Sequence, residues 1–167
     1  VCINKNVELY FKASYKKANR TSKSSFTGIG DDKALAYLAE IKEEFGIPIL
    51  TDIHSENEIQ KAAETADVLQ IPAFLCRQTE LLQAAGKTGN IVNIKKGQFM
   101  APEDMRHAAE KTGVEDKNRI WLTERGTSFG RSHIRLRDRR ERHAFQPSVS
   151  PDRRGRVPAG ACAECFE

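Results

Sequence analysis

Five short apolar runs punctuate the chain, and each ends in charged or polar residues. They are Glu8–Ser14 (ELYFKAS), Ile47–His54 (IPILTDIH), Val68–Arg77 (VLQIPAFLCR), Ile91–Lys96 (IVNIKK) and Ile120–Gly126 (IWLTERG). Runs of this length read as buried strands, and the charges at their ends would be aimed at one edge of a sheet. Helical text lies between them. Asp31–Phe45 places Leu35, Leu38, Ile41 and Phe45 at helical spacing, and Gly46-Ile47-Pro48 stops that helix and starts the next strand. Ser55–Thr65 opens with Ser55 as N-cap and Glu58 three residues later, the spacing of a capping box. Thr79–Lys87 is a short amphipathic helix ended by Gly89, and Pro102–Thr112 is another, closed by Gly113.

Five strands alternating with four helices predict a parallel α/β fold. A partial (β/α)8 barrel accounts for the charged strand ends, because parallel barrels build their active sites at the C-terminal ends of the strands. An open doubly wound sheet fits the same count, but no Gly-rich phosphate loop follows the first strand.

The strand ends carry mostly cations. Lys12 closes the first run, and Lys16, Lys17, Asn19, Arg20, Thr21 and Ser22 follow in the string KASYKKANRTS. Such a loop suits a phosphate or carboxylate, since Arg holds oxyanions with a bidentate fork and Lys acts as a mobile point charge. A solvated basic loop is the plainer reading. Lys95 and Lys96 extend a run that should still be buried, so strand alternation turns one of them inward. A buried ammonium is costly unless it is paired or holds an anion. Arg77 and Arg125 stand after two other runs, and Glu124 is a ready partner for Arg125. Two anionic groups are a natural load for Lys12, Lys17, Arg20, Arg77, Lys95 and Arg125. Asp52 and His54, two residues apart, suit orienting a hydroxyl or relaying a proton. Equally, Asp52 could pair with a lysine and His54 cap the next helix. Cys76 reads as a small core residue, and Trp121 and Phe74 as packing residues.

Composition divides the chain. Residues 1–130 carry 18 Lys and Arg against 18 Asp and Glu, whereas residues 131–167 carry nine Arg, no Lys and five acids. The whole net charge of +4 therefore belongs to the tail, where apolar periodicity also ends. The expected organisation is a barrel domain over 1–130 and an Arg-rich tail over 131–167, expected to be disordered. Three readings of the tail compete: an unrelated, frameshift-like translation, a basic arm for nucleic acid, and a zinc or redox appendix on Cys162 and Cys165. A single pair of cysteines lacks the other two ligands of a structural zinc site. No apolar stretch approaches the roughly 20 residues that span a membrane. The four cysteines form no dense disulfide framework, so a cytoplasmic enzyme is expected. At 167 residues the chain is shorter than the roughly 250 of a complete barrel.

Four strings in order make the pattern specific. KANRTS (Lys17–Ser22), LQIPAFLCRQT (Leu69–Thr79), VNIKKGQFMAPEDM (Val92–Met105) and LTERGTSFG (Leu122–Gly130) resemble the 3-deoxy-D-manno-octulosonate 8-phosphate synthase family. That family belongs to the superfamily of 3-deoxy-arabino-heptulosonate 7-phosphate synthase. The resemblance runs from about Val7 to Gly130. KANR, where the heptulosonate relatives have KPRT, favours the octulosonate enzymes.

The resemblance implies a (β/α)8 barrel, a cytoplasmic homo-oligomer (a tetramer in the family), and no partnership with membrane or nucleic acid. The implied reaction condenses phosphoenolpyruvate with D-arabinose 5-phosphate, a step of lipopolysaccharide biosynthesis. Lys12, Lys17, Lys95 and Arg125 would bind phosphoenolpyruvate, helped by the backbone at Ala73 and Phe74. Asn19, Arg20 and Thr21 would hold the aldose phosphate, with Arg77 reaching a phosphate across a subunit boundary. Asp52, His54 and Gln70 would line the sugar site. Lys12, Lys17, Asp52 and His54 are the catalytic candidates. FLCRQT, KKGQF and TERGTSFG look like the metal-dependent subgroup, so the complete enzyme is expected to use a divalent metal. Its Cys ligand would precede the first strand here, and its His, Glu and Asp ligands would follow Gly130. No residue of this chain is assigned as a ligand, and Cys2 is excluded by its place in the turn before the Lys12 strand. A phospho-ligand-binding module with a basic tail stays open as the non-catalytic alternative.

Overall fold

A computed structural model describes residues 8–126 of the chain. The expectations for Cys2, the end of LTERGTSFG and the Arg-rich tail, with Cys162 and Cys165, lie outside the described residues.

Among the described residues the order is β1 (Phe11–Lys12), α1 (Asp31–Phe45), β2 (Ile49–Asp52), α2 (Glu56–Thr65), β3 (Val68–Ile71), α3 (Thr79–Lys87), β4 (Ile91–Lys95), α4 (Met105–Lys111) and β5 (Ile120–Thr123). The strands form one parallel sheet in the order β1-β2-β3-β4-β5. All four expected helices are present, and α1 has the bounds read from its sequence.

The sheet order separates the barrel from the doubly wound alternative. Crossovers between parallel strands are right-handed, so adding each strand beside the last puts every helix on one face. A doubly wound sheet reverses order and covers both faces. Here α1 packs on α2, α2 on α3 and α3 on α4, a continuous helical layer. The sheet also curls. The ring of Tyr10, just before β1, meets Trp121 of β5 edge-to-face, with centroids 5.1 Å apart. In a flat sheet these two outer strands would stand about 19 Å apart with their side chains parallel. In a ring of eight, strands four places apart are diametrically opposed, and their inward side chains meet on the axis. Trp121 is thus a packing residue, on the concave side.

Strand alternation divides the side chains between two environments. Phe11, Ala13, Ile49, Ile53, Leu69, Ile71, Val92, Ile94, Ile120 and Leu122 join the core under the helices. The alternate positions face the concave side, where Leu50, Val68 and Ile91 give way toward the strand ends to Asp52, Gln70, Asn93, Lys95 and Thr123.

Several local expectations are corrected. Each strand is shorter than its apolar run, and in VLQIPAFLCR the strand stops at Ile71. Pro72 cannot donate to a ladder, and a 3₁₀ turn, Ala73–Leu75, follows. Arg77 therefore sits in an exposed turn before α3 and not at a strand end. Phe74 is 46% exposed and packs no core. Phe45, the last residue of α1, is 61% exposed although it stands on the same face as Leu38, two turns back. Pro102–Thr112 begins as a 3₁₀ turn and becomes helical at Met105. The capping box does not form: Ser55 makes no side-chain cap, and Glu58 reaches one residue further back, to the His54 N–H at 3.2 Å.

Candidate functional site

The polar positions of the concave face are joined side chain to side chain across the whole sheet. The carboxylate of Asp52, the last residue of β2, accepts from the hydroxyl of Ser14 through one oxygen and from the Gln70 amide of β3 through the other. Asn93 of β4 donates its amide to Gln70 Oε1 at 3.0 Å, and Thr123 of β5 donates its hydroxyl to Asn93 Oδ1 at 2.8 Å. On the β1 side, Lys17 Nζ donates to Ser14 Oγ at 3.2 Å, and Lys12 Nζ lies 3.9 Å from Asp52 Oδ2. Gln70 and Asn93 are 1% and 3% exposed. Register aligns these groups: Asp52 pairs with Gln70, Gln70 with Asn93, and Lys95 with Thr123. Lys12, Lys17, Asp52, Gln70 and Lys95 are thus gathered at one end of the concave face.

His54 serves a different group. Its ring turns toward Tyr15, with Nδ1 3.5 Å from Glu58 Oε2. Glu58 also accepts from the Tyr15 hydroxyl at 2.6 Å and from Lys16 Nζ at 2.9 Å. Burial alone would raise the Glu58 carboxyl, but hydrogen bonds from Tyr15, Lys16 and Ser55 outweigh it and bring it to about 2. Burial lowers His54 against the opposing pull of Asp52 and Glu58, so the imidazole is neutral at neutral pH. Its Nδ1 is buried without a hydrogen-bond partner. Burial together with the Glu58 hydrogen bond pushes the Tyr15 hydroxyl up. Asp52 and His54, adjacent in the strand's period, therefore divide between two clusters.

Lys95 and Lys96 divide as well. Lys96 is the buried one of the two, 1% exposed. Its ammonium donates to the carbonyls of Gly97 and Met100 at 3.2 Å and of Gly126 at 2.9 Å, and stands 3.2 Å from Glu124 Oε1. It clasps the loop after β4 to the segment after β5. Glu124 Oε1 also takes the N–H groups of Arg125 and Gly126 at 2.9 and 2.6 Å. Lys95, half-buried beside Thr123, is the member of the pair on the concave side.

Asn19, Arg20 and Thr21 stand exposed in the loop after β1, which is pinned where the Lys17 N–H meets the Thr27 carbonyl at 2.7 Å. Arg77, Arg125 and Phe74 are exposed, and Ala73 is half-buried in its turn. None of these seven joins the hydrogen-bonded set around Asp52. Cys76 is buried against the Met100 sulfur at 3.3 Å, and burial pushes its thiol up, which makes it an inert core residue.

Ser14, Asn93 and Thr123 escaped the reading of the sequence. Their signal was a polar residue on the concave parity of an apolar strand, repeated at Asp52, Gln70, Asn93 and Thr123 in successive strands. Among the described residues no three His, Cys, Asp or Glu side chains converge as metal ligands. The divalent metal expected of the family thus finds no ligand set there. No helix among them is long and apolar enough to cross a membrane.

Three relatives are each named 2-dehydro-3-deoxyphosphooctonate aldolase. The protein of Citrifermentans bemidjiense is 54% identical over 134 residues, which is 80% of this chain and 49% of the relative. That of Granulibacter bethesdensis is 55% identical over 130 residues, 78% of this chain and 46% of its own. That of Bartonella henselae is 53% identical over 124 residues, 74% and 44% respectively. The chain spans about half the length of the curated relatives it matches. A family model, the DAHP synthetase I family, matches residues 2–139, and with a parallel, curled sheet and a cationic concave end of the kind just described, this chain belongs to that family.

Proposed function

We propose that this chain carries the substrate-binding half of a synthase that joins phosphoenolpyruvate to D-arabinose 5-phosphate, giving 3-deoxy-D-manno-octulosonate 8-phosphate and inorganic phosphate. The observation that carries the reading is the set of Lys12, Lys17 and Lys95 around Asp52 on the concave strand ends, in a chain 54% identical over 134 residues to a named aldolase.

In this reading Lys12, Lys17, Lys95 and Arg125 hold the carboxylate and phosphate of phosphoenolpyruvate. Asn19, Arg20 and Thr21 hold the phosphate of the sugar, Arg77 serves a neighbouring subunit, and Asp52, His54 and Gln70 border the aldehyde. C3 of the enol forms a bond to the aldehyde carbon, whose carbonyl electrons pass to oxygen and take a proton. Water adds at C2 and loses a proton. The resulting centre collapses to a ketone as its C–O bond to phosphate breaks. Negative charge is carried throughout by one carboxylate and two phosphates, and ammonium groups already held in place stabilise it without reorganising. The reading also carries assembly with copies of the same chain, and work in the cytoplasm.

The test offers the chain phosphoenolpyruvate and arabinose 5-phosphate, with and without a divalent metal, and measures binding by calorimetry and phosphate release by colorimetry. Binding of both substrates is expected. If neither binds, the reading falls. A preference for erythrose 4-phosphate over arabinose 5-phosphate would move it to the heptulosonate relatives.

A further inference from the structure

The bonds that cross the concave face all run one way. An ionised carboxylate has no proton to give, so both oxygens of Asp52 only accept. Gln70 must therefore turn its amide nitrogen to Asp52, which leaves its carbonyl oxygen facing β4. Asn93 must answer with its own nitrogen, and its oxygen then faces β5. There only a hydroxyl hydrogen can meet it, and Thr123 supplies one. Flipping either amide would press two oxygens together in a place almost closed to water. On the other side the same logic holds: Ser14 gives its hydrogen to Asp52, so its lone pairs are left for the ammonium of Lys17. One charge sets the polarity of a chain running from Lys17 to Thr123.

We propose that Asn93 and Thr123 are positioning residues, which through Gln70 hold the Asp52 carboxylate, and with it Lys12 and Lys17, in the arrangement that receives the anionic substrate. The role rests on the reading above that Asp52 stands in the substrate site. Lysine side chains are long and mobile, and a fixed carboxylate is what gives their ammonium groups an address. Asp52 in turn is held from both flanks, by Ser14 and by Gln70. Gln70 is held only as firmly as Asn93, and Asn93 as firmly as Thr123. A residue three strands away from Asp52 thereby governs its orientation. Cooperative polarisation along such a chain, in a site of low dielectric, makes the end matter to the beginning.

The experiment follows the side-chain amide signals of Gln70 and Asn93 and the carboxyl carbon of Asp52 by NMR on the isotope-labelled chain. Phosphoenolpyruvate affinity is measured in parallel. Thr123→Val keeps the shape and removes the hydroxyl. It is expected to move all three signals and to weaken phosphoenolpyruvate binding about tenfold, the loss of one directional hydrogen bond. Thr123→Ser is expected to restore both. If Thr123→Val moves the Asn93 signal alone, the contact is local and the proposal is overturned. Should Thr123→Val fail to fold, Asn93→Asp replaces it. A second carboxylate then competes for the single amide nitrogen of Gln70, and an unmoved Asp52 carbon would likewise overturn the chain. A parent protein that binds no phosphoenolpyruvate overturns the positioning role, and one that binds neither substrate overturns the functional reading as well. The amide and carboxyl signals need no ligand and still decide the bond chain.

Discussion

Replacing Lys96 by Met removes a buried ammonium while keeping most of its stem. Four groups lose their partner: the carbonyls of Gly97, Met100 and Gly126, at 2.9–3.2 Å, and the Glu124 carboxylate at 3.2 Å. Hydrogen bonds to a charged group contribute about 1.5–3 kcal/mol each, but they share one side chain and do not add. Breaking a buried pair from one side costs about 3–5 kcal/mol, because the remaining charge stays buried. Glu124 keeps the N–H groups of Arg125 and Gly126, which places the expected loss near the lower end, about 3 kcal/mol. For a chain of this size that is a fall of roughly 6–12 °C in Tm. Urea denaturation followed by the fluorescence of Trp121, the single tryptophan, measures it directly, since that ring sits against Tyr10. Adding Glu124→Gln to Lys96→Met removes the stranded charge and should recover part of the loss. A single variant within about 1 kcal/mol of the parent would show that the clasp contributes little, and the reasoning would be wrong.

Further consequences can be measured independently. Gly86→Ala should destabilise the chain by about 2 kcal/mol or more, although alanine is the better helix former by about 1 kcal/mol. The added carbon would stand 1.9 Å from the Thr112 carbonyl oxygen, so thermal melting should show a clear fall. Acid should weaken the fold through Glu58. Its folded value, about 2, lies below its ordinary 4.5, so its contribution is complete above pH 4.5 and is lost as pH falls toward 2. Glu58→Gln should flatten that part of the stability–pH curve, and an unchanged slope would count against the Tyr15–Glu58–Lys16 cluster. Lys95→Met should weaken phosphoenolpyruvate binding tenfold or more while leaving Tm within about 2 °C, as removing a charge-assisted contact to ligand implies. Arg20→Met should instead weaken arabinose 5-phosphate and spare phosphoenolpyruvate. Calorimetry with each ligand separates the two.

Much of this molecule was written locally. The strands and helices stand where apolar runs and helical stripes put them, because both periods are properties of neighbouring residues. The cations at the strand ends were legible for the same reason: a residue just after a buried run has only one edge of the sheet to occupy. Other features depended on what lay across the sheet. Alternation announced that one of Lys95 and Lys96 turns inward, yet only the pairing of Lys95 with Thr123 decided which. Asp52 and His54 share a period, but the ladder ends at Asp52, and Glu58 draws the next turn away toward α2. Asn93 and Thr123 look like stray polar residues in apolar strands until register sets them beside Gln70 and Asp52. By itself the sequence determined the elements, the parallel class and the cationic character of one end. The tertiary structure decided the curl, the division of neighbouring residues between two environments, and the bond chain that joins four strands to the loop after β1. The physical reason is that periodicity is carried by adjacent residues, whereas register and the direction of a hydrogen bond exist only between segments that folding has brought together.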